Sequence, residues 1–166
     1  ASPPPLPLGA VFRDVEMAAL RTSWTDPDAT WVAFKAGSPR FNHAQMDAGA
    51  FVFEMLGQRW AVDLGSDNYN LPGYFSTKDG RWKFYRNRAE GNNTLVIDPG
   101  PGIDQEISPV SRIIRSSFAP GSLFAVADLT PSYGKRAAKV LRGVRILPGG
   151  DGVQQPPLQP RPPTDY

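Results

Sequence analysis

Phe41-Asn-His-Ala-Gln-Met-Asp-Ala-Gly-Ala-Phe-Val-Phe-Glu-Met-Leu-Gly-Gln-Arg-Trp-Ala-Val-Asp-Leu64 joins the only histidine of the chain, His43, to its clearest hairpin signal. Placing Gly57-Gln58 at the centre of a type II′ turn, which takes glycine first, sets Phe51 opposite Leu64, Phe53 opposite Val62 and Met55 opposite Trp60. Side chains alternate across a strand, so these six share one apolar face, expected to be a core face. The reverse face carries Val52, Glu54 and Leu56 against Asp63, Ala61 and Arg59. Asp63 therefore points away from the core that the hairpin builds.

Outward from this stretch, segments of four to eight alternating residues recur between Gly, Pro, Asn and Asp breaks. Strands are expected at Val11 to Asp14, Met17 to Trp24 and Thr30 to Lys35, with Thr25-Asp26-Pro27-Asp28 as a turn. The hairpin follows, and then a long connection from Gly65 to Asn93, in which only Arg81 to Arg88 suits a short helix. Further strands are expected at Thr94 to Asp98, Ser111 to Phe118, Ser122 to Leu129 and Ala137 to Ile146. Ala119-Pro120-Gly121 and Pro131-Ser132-Tyr133-Gly134 read as turns. Eight or nine short strands, little helix and no internal repeat indicate an all-β fold, an antiparallel β-sandwich.

The chain has 166 residues, of which 40% are apolar, enough for one domain with a real core. Residues 1 to 9 and 147 to 166 are proline-rich, a composition favouring extended, solvated chain, so the compact domain is expected over residues 10 to 146. A net charge of +2 is a weak signal for nucleic acid. The densest basic run, Lys135 to Arg145, alternates with Ala, Val and Leu, as the solvated face of a strand would. With no cysteine there is no disulfide framework and no thiolate zinc site. No apolar run is long enough to span a membrane, and the N-terminus lacks the basic and apolar regions of a signal peptide.

His43, Gln45 and Asp47 are spaced so that an extended chain would put all three on one side, and with Asp63 they suggest a metal or acid–base cluster. In an unbroken strand from His43 to Met55, however, odd-numbered residues share the core face while Asp63 faces away. A bend at Asp47-Ala48-Gly49 is required to bring His43 or Gln45 round. A lone histidine is also commonly a hydrogen-bonded structural residue, and zinc generally takes three ligands from His, Asp, Glu and Cys. The connection from Gly65 to Asn93 holds Tyr69, Tyr74, Phe75, Trp82, Phe84 and Tyr85 among Asn, Asp, Arg and Lys. Such a mixture suits sugar recognition, with Tyr69, Tyr74, Arg86 and Arg88 as substrate-binding candidates; it equally suits pinning a long loop to a sheet. Asn92-Asn93-Thr94 is also a glycosylation sequon.

Asn42-His43-Ala44-Gln45-Met46-Asp47-Ala48-Gly49-Ala50-Phe51, then Arg59 to Gly65, Tyr69 and Glu90-Gly91-Asn92-Asn93-Thr94-Leu95 together resemble the heparinase II/III family of polysaccharide lyases. The similarity runs from about Phe12 to Ile146, the region that in that family forms the β-sandwich following an α/α toroid. The resemblance implies cleavage of uronic-acid-containing polysaccharides, such as heparin, heparan sulfate or alginate, by β-elimination, in a periplasmic or secreted protein. It implies a catalytic or charge-neutralising role for His43 at the cleft. It also implies a structural zinc on residues matching Gln45, Asp63 and Asn92, of which the first and last are histidines in the family. Only Asp63 keeps its identity, and amide oxygens are poor zinc ligands, so tight zinc binding is not expected and a hydrogen-bonded cluster of the three is the substitute. The toroid, which carries the family's main tyrosine base, is not among these residues, so the chain by itself is expected to be inactive. The alternative is a carbohydrate-binding or scaffold module of the same fold.

Overall fold

The computed structural model describes residues 6–76, 78, 80–134 and 136–148. Residues 1–5 and 149–166, most of the two proline-rich ends, lie outside the described residues, as does Lys135.

The chain forms two antiparallel sheets packed face to face. The first is a five-stranded meander of β1 (Gly9–Phe12), β2 (Met17–Arg21), β3 (Trp31–Lys35), β4 (Phe51–Met55) and β5 (Gln58–Ala61), in that order. The second contains β6 (Arg112–Ala119), β7 (Ser122–Asp128) and β8 (Leu141–Ile146), with a one-turn helix α1 (Thr130–Tyr133) between the last two. Alternation sorts the faces. Ala18 and Leu20 of β2, Val32 and Phe34 of β3, and Leu123, Ala125 and Ala127 of β7 are buried against Ile113, Leu129, Tyr133 and Ile146, while their chain neighbours are only partly covered. The alanines let the sheets approach closely, and Leu20 and Phe34 fill the remaining space.

A buried carboxylate joins the sheets. Glu16, in the β1–β2 turn, has a positive φ of 50° and is 1% exposed. Its Oε2 accepts the Ile113 N–H at 2.8 Å, and its Oε1 accepts Arg112 Nη1 at 3.2 Å.

The β4–β5 hairpin departs from expectation in register. Met55 pairs with Gln58 and Glu54 with Arg59, and a bulge between Phe53 and Glu54 then sets Phe53 opposite Ala61. The turn residues are Leu56 (φ 55°) and Gly57 (φ 67°), a turn with positive φ at both centres, as type I′ requires. Its twist matches that of the strands, which outweighs the 1–2 kcal/mol that a left-handed leucine costs. Phe51 and Phe53 pack on the core as expected. The return strand β5 is an edge; its Trp60 is exposed, as are Val62 and Leu64 beyond its end, so the apolar face does not continue as core.

Smaller differences have local causes. Thr94 to Asp98 belongs to neither sheet; Leu95 and Ile97 pack on the core without a ladder, and Leu95 O accepts the Tyr133 hydroxyl. The stretch Pro131 to Gly134 is helical rather than a simple turn. The Arg81 to Arg88 region forms single 3-10 turns, Arg81–Lys83 and Tyr85–Asn87, followed by Ala89–Gly91. In the basic run Arg145 is exposed, but Arg142 turns inward: Nη1 donates to Gly49 O and Asn93 O, both at 3.0 Å, and the guanidinium lies 5.2 Å from the Phe51 ring centroid.

Candidate functional site

Between β3 and β4 the chain leaves the sheet and returns through a sharp bend. Gly49 N–H donates to Lys35 O and Lys35 N–H to Ala50 O, so pairing with β3 resumes at the bend. Gly49 has φ 89°, and a Cβ there would lie 2.5 Å from Leu129 Cδ1, so both backbone and space demand glycine. The bend required at Asp47-Ala48-Gly49 is present, and the segment before it is not strand.

His43 stands on the exposed side of this segment, itself at φ 62°. Its ring stacks on Tyr69 with centroids 5.8 Å apart and meets Phe75 edge-on at 5.6 Å. Tyr69 stacks in turn on Tyr74 at 5.4 Å, and Phe75 stands edge-on to both tyrosines. Tyr69 and Phe75 are each 48% exposed, whereas Tyr74 is buried. Tyr74 acts as the floor: its hydroxyl donates to Asn87 Oδ1 and accepts the Asp67 N–H, both at 3.2 Å. An imidazole is thus presented to solvent on a rigid aromatic surface.

Beneath lies Arg81, 4% exposed. Its Nε and Nη2 donate to Ala44 O, Nη2 also to His43 O at 3.1 Å, and Nη1 to Tyr74 O at 3.3 Å. One guanidinium therefore binds the histidine segment to the tyrosine segment and lies 5.2 to 5.8 Å from the Tyr74, Phe75 and Trp82 rings. Sequence reasoning missed Arg81, because nothing in its neighbours separates it from Arg86 or Arg88.

Of the substrate-binding candidates, Tyr69 and Tyr74 join His43 and the two arginines do not. Arg86 Nη1 donates to Leu64 O and Ser66 O, and its Nε lies 3.5 Å from Asp67. Arg88 makes a two-point contact with Asp104, Nε to Oδ2 at 3.0 Å and Nη2 to Oδ1 at 2.9 Å, and also donates to Gly100 O. Asp104 is 3% exposed.

The three residues at the expected metal framework do not converge. Gln45 Nε2 donates to Gly65 O at 3.2 Å, and Asp63 Oδ1 accepts the Gly65 N–H at 2.6 Å, so these two meet on Gly65. Asn92 Nδ2 turns instead to Arg86 O and Arg88 O. Its neighbour Asn93 does the stitching, with Nδ2 donating to Phe51 O at 2.9 Å and Val62 O at 2.8 Å. Among the described residues no three of His, Cys, Asp and Glu lie together so as to hold a metal ion. One carboxylate and two amides already donating to carbonyls do not fit zinc. Nearby, Asp47 pairs with Lys35 at 2.6 Å. Burial pushes the Asp47 carboxyl above its ordinary value, Lys35 opposes the rise, and the Asp63 charge adds to it.

A family model described as heparinase II/III-like, C-terminal, matches residues 4–112. No curated protein matches the chain. Among solved structures, a heparinase III superposes with a TM-score of 0.66 at 25% identity, covering 86% of this chain and 20% of that one. The heparan sulfate lyase HepC from Pedobacter heparinus superposes with a TM-score of 0.62 at 19% identity, covering 87% of this chain and 21% of that one. The chain thus spans about a fifth of the length of the solved proteins it matches.

Proposed function

Since the chain belongs to the heparinase II/III-like family, we propose that it is the β-sandwich part of a polysaccharide lyase, presenting the His43 face to an acidic polysaccharide while a helical toroid supplies the other wall of the cleft. The observation that carries this reading is an exposed imidazole fixed on an aromatic floor, with Arg81 locked behind it. Tyr69 and Phe75 suit the apolar faces of sugar rings, and His43 suits the uronate itself. In a β-elimination the C5–H bond and the bond from C4 to the glycosidic oxygen break, a C4–C5 double bond forms, and the departing oxygen takes a proton. His43 can receive the C5 proton as neutral imidazole or donate to the uronate carboxylate as imidazolium. Asp63, Gln45 and Asn92 keep the place of a metal framework and serve as hydrogen-bonding supports; no step passes through a metal.

Arg86, tied to Leu64 O and Ser66 O, and Arg88, paired with buried Asp104, stand apart from the His43 face; in this reading they order the connection that carries Tyr69 and Tyr74. The reading places the protein in the periplasm or outside the cell, where such polymers occur. The proposed domain, residues 10 to 146, extends at its start to take in Gly9, the first residue of β1, and Leu8, which packs on the core. Among the described residues no helix is long and apolar enough to cross a membrane.

Alone, the chain is expected to have no appreciable lyase activity, because the toroid's base is not among its residues. Incubation with heparin, heparan sulfate and alginate, followed by ultraviolet absorbance of unsaturated uronate, tests this; robust product formation would refute it. Binding to immobilised acidic polysaccharide should weaken with salt and with Tyr69→Ala. A second reading, a carbohydrate-binding module without chemistry, is favoured by the non-convergent metal framework. It predicts binding that persists when His43→Ala is combined with any added toroid, and no product under any condition.

A further inference from the structure

The outer face of the five-stranded sheet carries a row of four residues in direct register. Arg21 on β2 pairs with Trp31 on β3, Trp31 with Glu54 on β4, and Glu54 with Arg59 on β5. Paired residues project to the same side, and this side is opposite Leu20, Val32 and Phe53. Beside the row, the loop between β2 and β3 rises along one side of a shallow, open concavity of about 360 Å³ whose lining includes Trp24 and Asp26. That volume lies within the range of small-ligand clefts.

This loop is built in advance of any ligand. Thr22 N–H donates to Thr30 O and Thr30 N–H to Thr22 Oγ1, closing the base of the loop. Ser23 Oγ accepts the Thr25 and Asp26 N–H groups, Asp26 Oδ1 accepts that of Asp28, and Leu56 N–H donates to Asp28 O across to the next hairpin. Trp24 is anchored through Nε1 to Pro7 O, with the Arg21 guanidinium 3.9 Å from its ring centroid. Arg59 donates to Glu54. Little side-chain freedom remains to be lost when something docks.

We infer that this concavity is a second saccharide site, separate from the His43 face, that takes a neutral pyranose unit. Trp31 is the partly exposed ring at its centre and supplies the stacking surface for an apolar sugar face. The charges of the lining cancel, with Arg21 and Arg59 against Asp26 and Glu54. No net field therefore draws an anion. A guanidinium and a carboxylate side by side instead offer donors and acceptors to neighbouring hydroxyls. Charge balance favours an uncharged sugar over a uronate. The two sites sit beyond opposite ends of β3: Trp31 begins the strand, Lys35 ends it, and His43 lies further on. The length of β3 alone is roughly 13 Å. The inference does not rest on lyase chemistry.

The test uses the full 166-residue chain. Cello-oligosaccharides and N-acetylglucosamine oligomers are titrated while the indole N–H signals are followed by NMR, with a sulfated heparin oligosaccharide as contrast. The neutral oligomers should shift the Trp24 and Trp31 signals, unaffected by salt and unchanged in Tyr69→Ala. Trp31→Ala should weaken the shift at Trp24 at least about tenfold. Because that variant removes a large ring, Glu54→Gln serves as a second probe: about fivefold weaker binding with an unchanged indole spectrum of the free protein supports the site. Absence of any shift at saturating oligomer overturns the inference. So does a response that salt suppresses or that Tyr69→Ala removes, since it would place the sugar on the His43 face.

Discussion

Replacing Arg88 by alanine separates a support from a ligand contact. Asp104 is 3% exposed, and its two oxygens accept Arg88 Nε, Arg88 Nη2 and the Ala89 N–H at 2.9 to 3.2 Å. The arginine side chain is itself only 13% exposed. Removing the guanidinium leaves a buried carboxylate with one backbone donor. Loss of one partner of such a pair costs about 3–5 kcal/mol, far more than the net worth of the pair, because the remaining charge stays desolvated. For a chain of this size that is a fall in Tm of roughly 6–20 °C. Arg86 provides the control. Its side chain is 41% exposed beside Asp67, so Arg86→Ala should cost under about 1 kcal/mol. Urea unfolding followed by tryptophan fluorescence gives both numbers. The double variant Arg88→Met, Asp104→Leu should recover most of the loss, since an apolar pair of similar volume avoids the desolvation altogether. An Arg88→Ala protein within about 1 kcal/mol of the parent that has lost polysaccharide binding would refute the reasoning and make Arg88 a direct ligand.

Three further outcomes follow from named contacts. Burial pushes the Tyr133 phenol above its ordinary value. Its contribution is therefore fully present below pH about 10 and lost as pH rises through the folded value; the alkaline part of the stability curve should flatten in Tyr133→Phe when followed by urea titration. Leu56→Asn places an Asn-Gly pair in the hairpin turn and should raise stability by about 0.5–1 kcal/mol, read as a higher urea midpoint at unchanged slope. Gly49→Ala meets both a φ of 89° and Leu129 Cδ1 at 2.5 Å, and should cost at least about 2 kcal/mol by the same assay.

Much of the sandwich is legible in the chain because β2, β3 and β7 write small and large apolar residues at every second position, and burial follows that alternation residue by residue. The hairpin's position was equally readable, but its register was not. A local rule puts glycine first, whereas the twist of the whole sheet puts Leu56 in the left-handed region. Thr94 to Asp98 has strand-like residues, yet side chains take up its backbone groups: Tyr133 donates to Leu95 O, and Asp98 has φ 53°. At the candidate site, residue type pointed to Tyr69, Tyr74, Arg86 and Arg88, of which only the tyrosines meet His43, and the role of His43 itself came from the family resemblance rather than from its type. Arg81, Asn93 and Arg142 act by donating to distant carbonyls, and such contacts leave no periodicity for a reader to find.

Arg81 also bears on how the aromatic face moves. Its guanidinium is shared by carbonyls of His43, Ala44 and Tyr74, so neither segment can swing out without releasing the other. In amide hydrogen exchange the two should behave as a single opening unit: protected backbone amides in the His43 and Tyr74 segments should report one common opening free energy, although some thirty residues of chain lie between them. A polysaccharide meeting this face would encounter one plate, open or closed as a whole, rather than two independent loops.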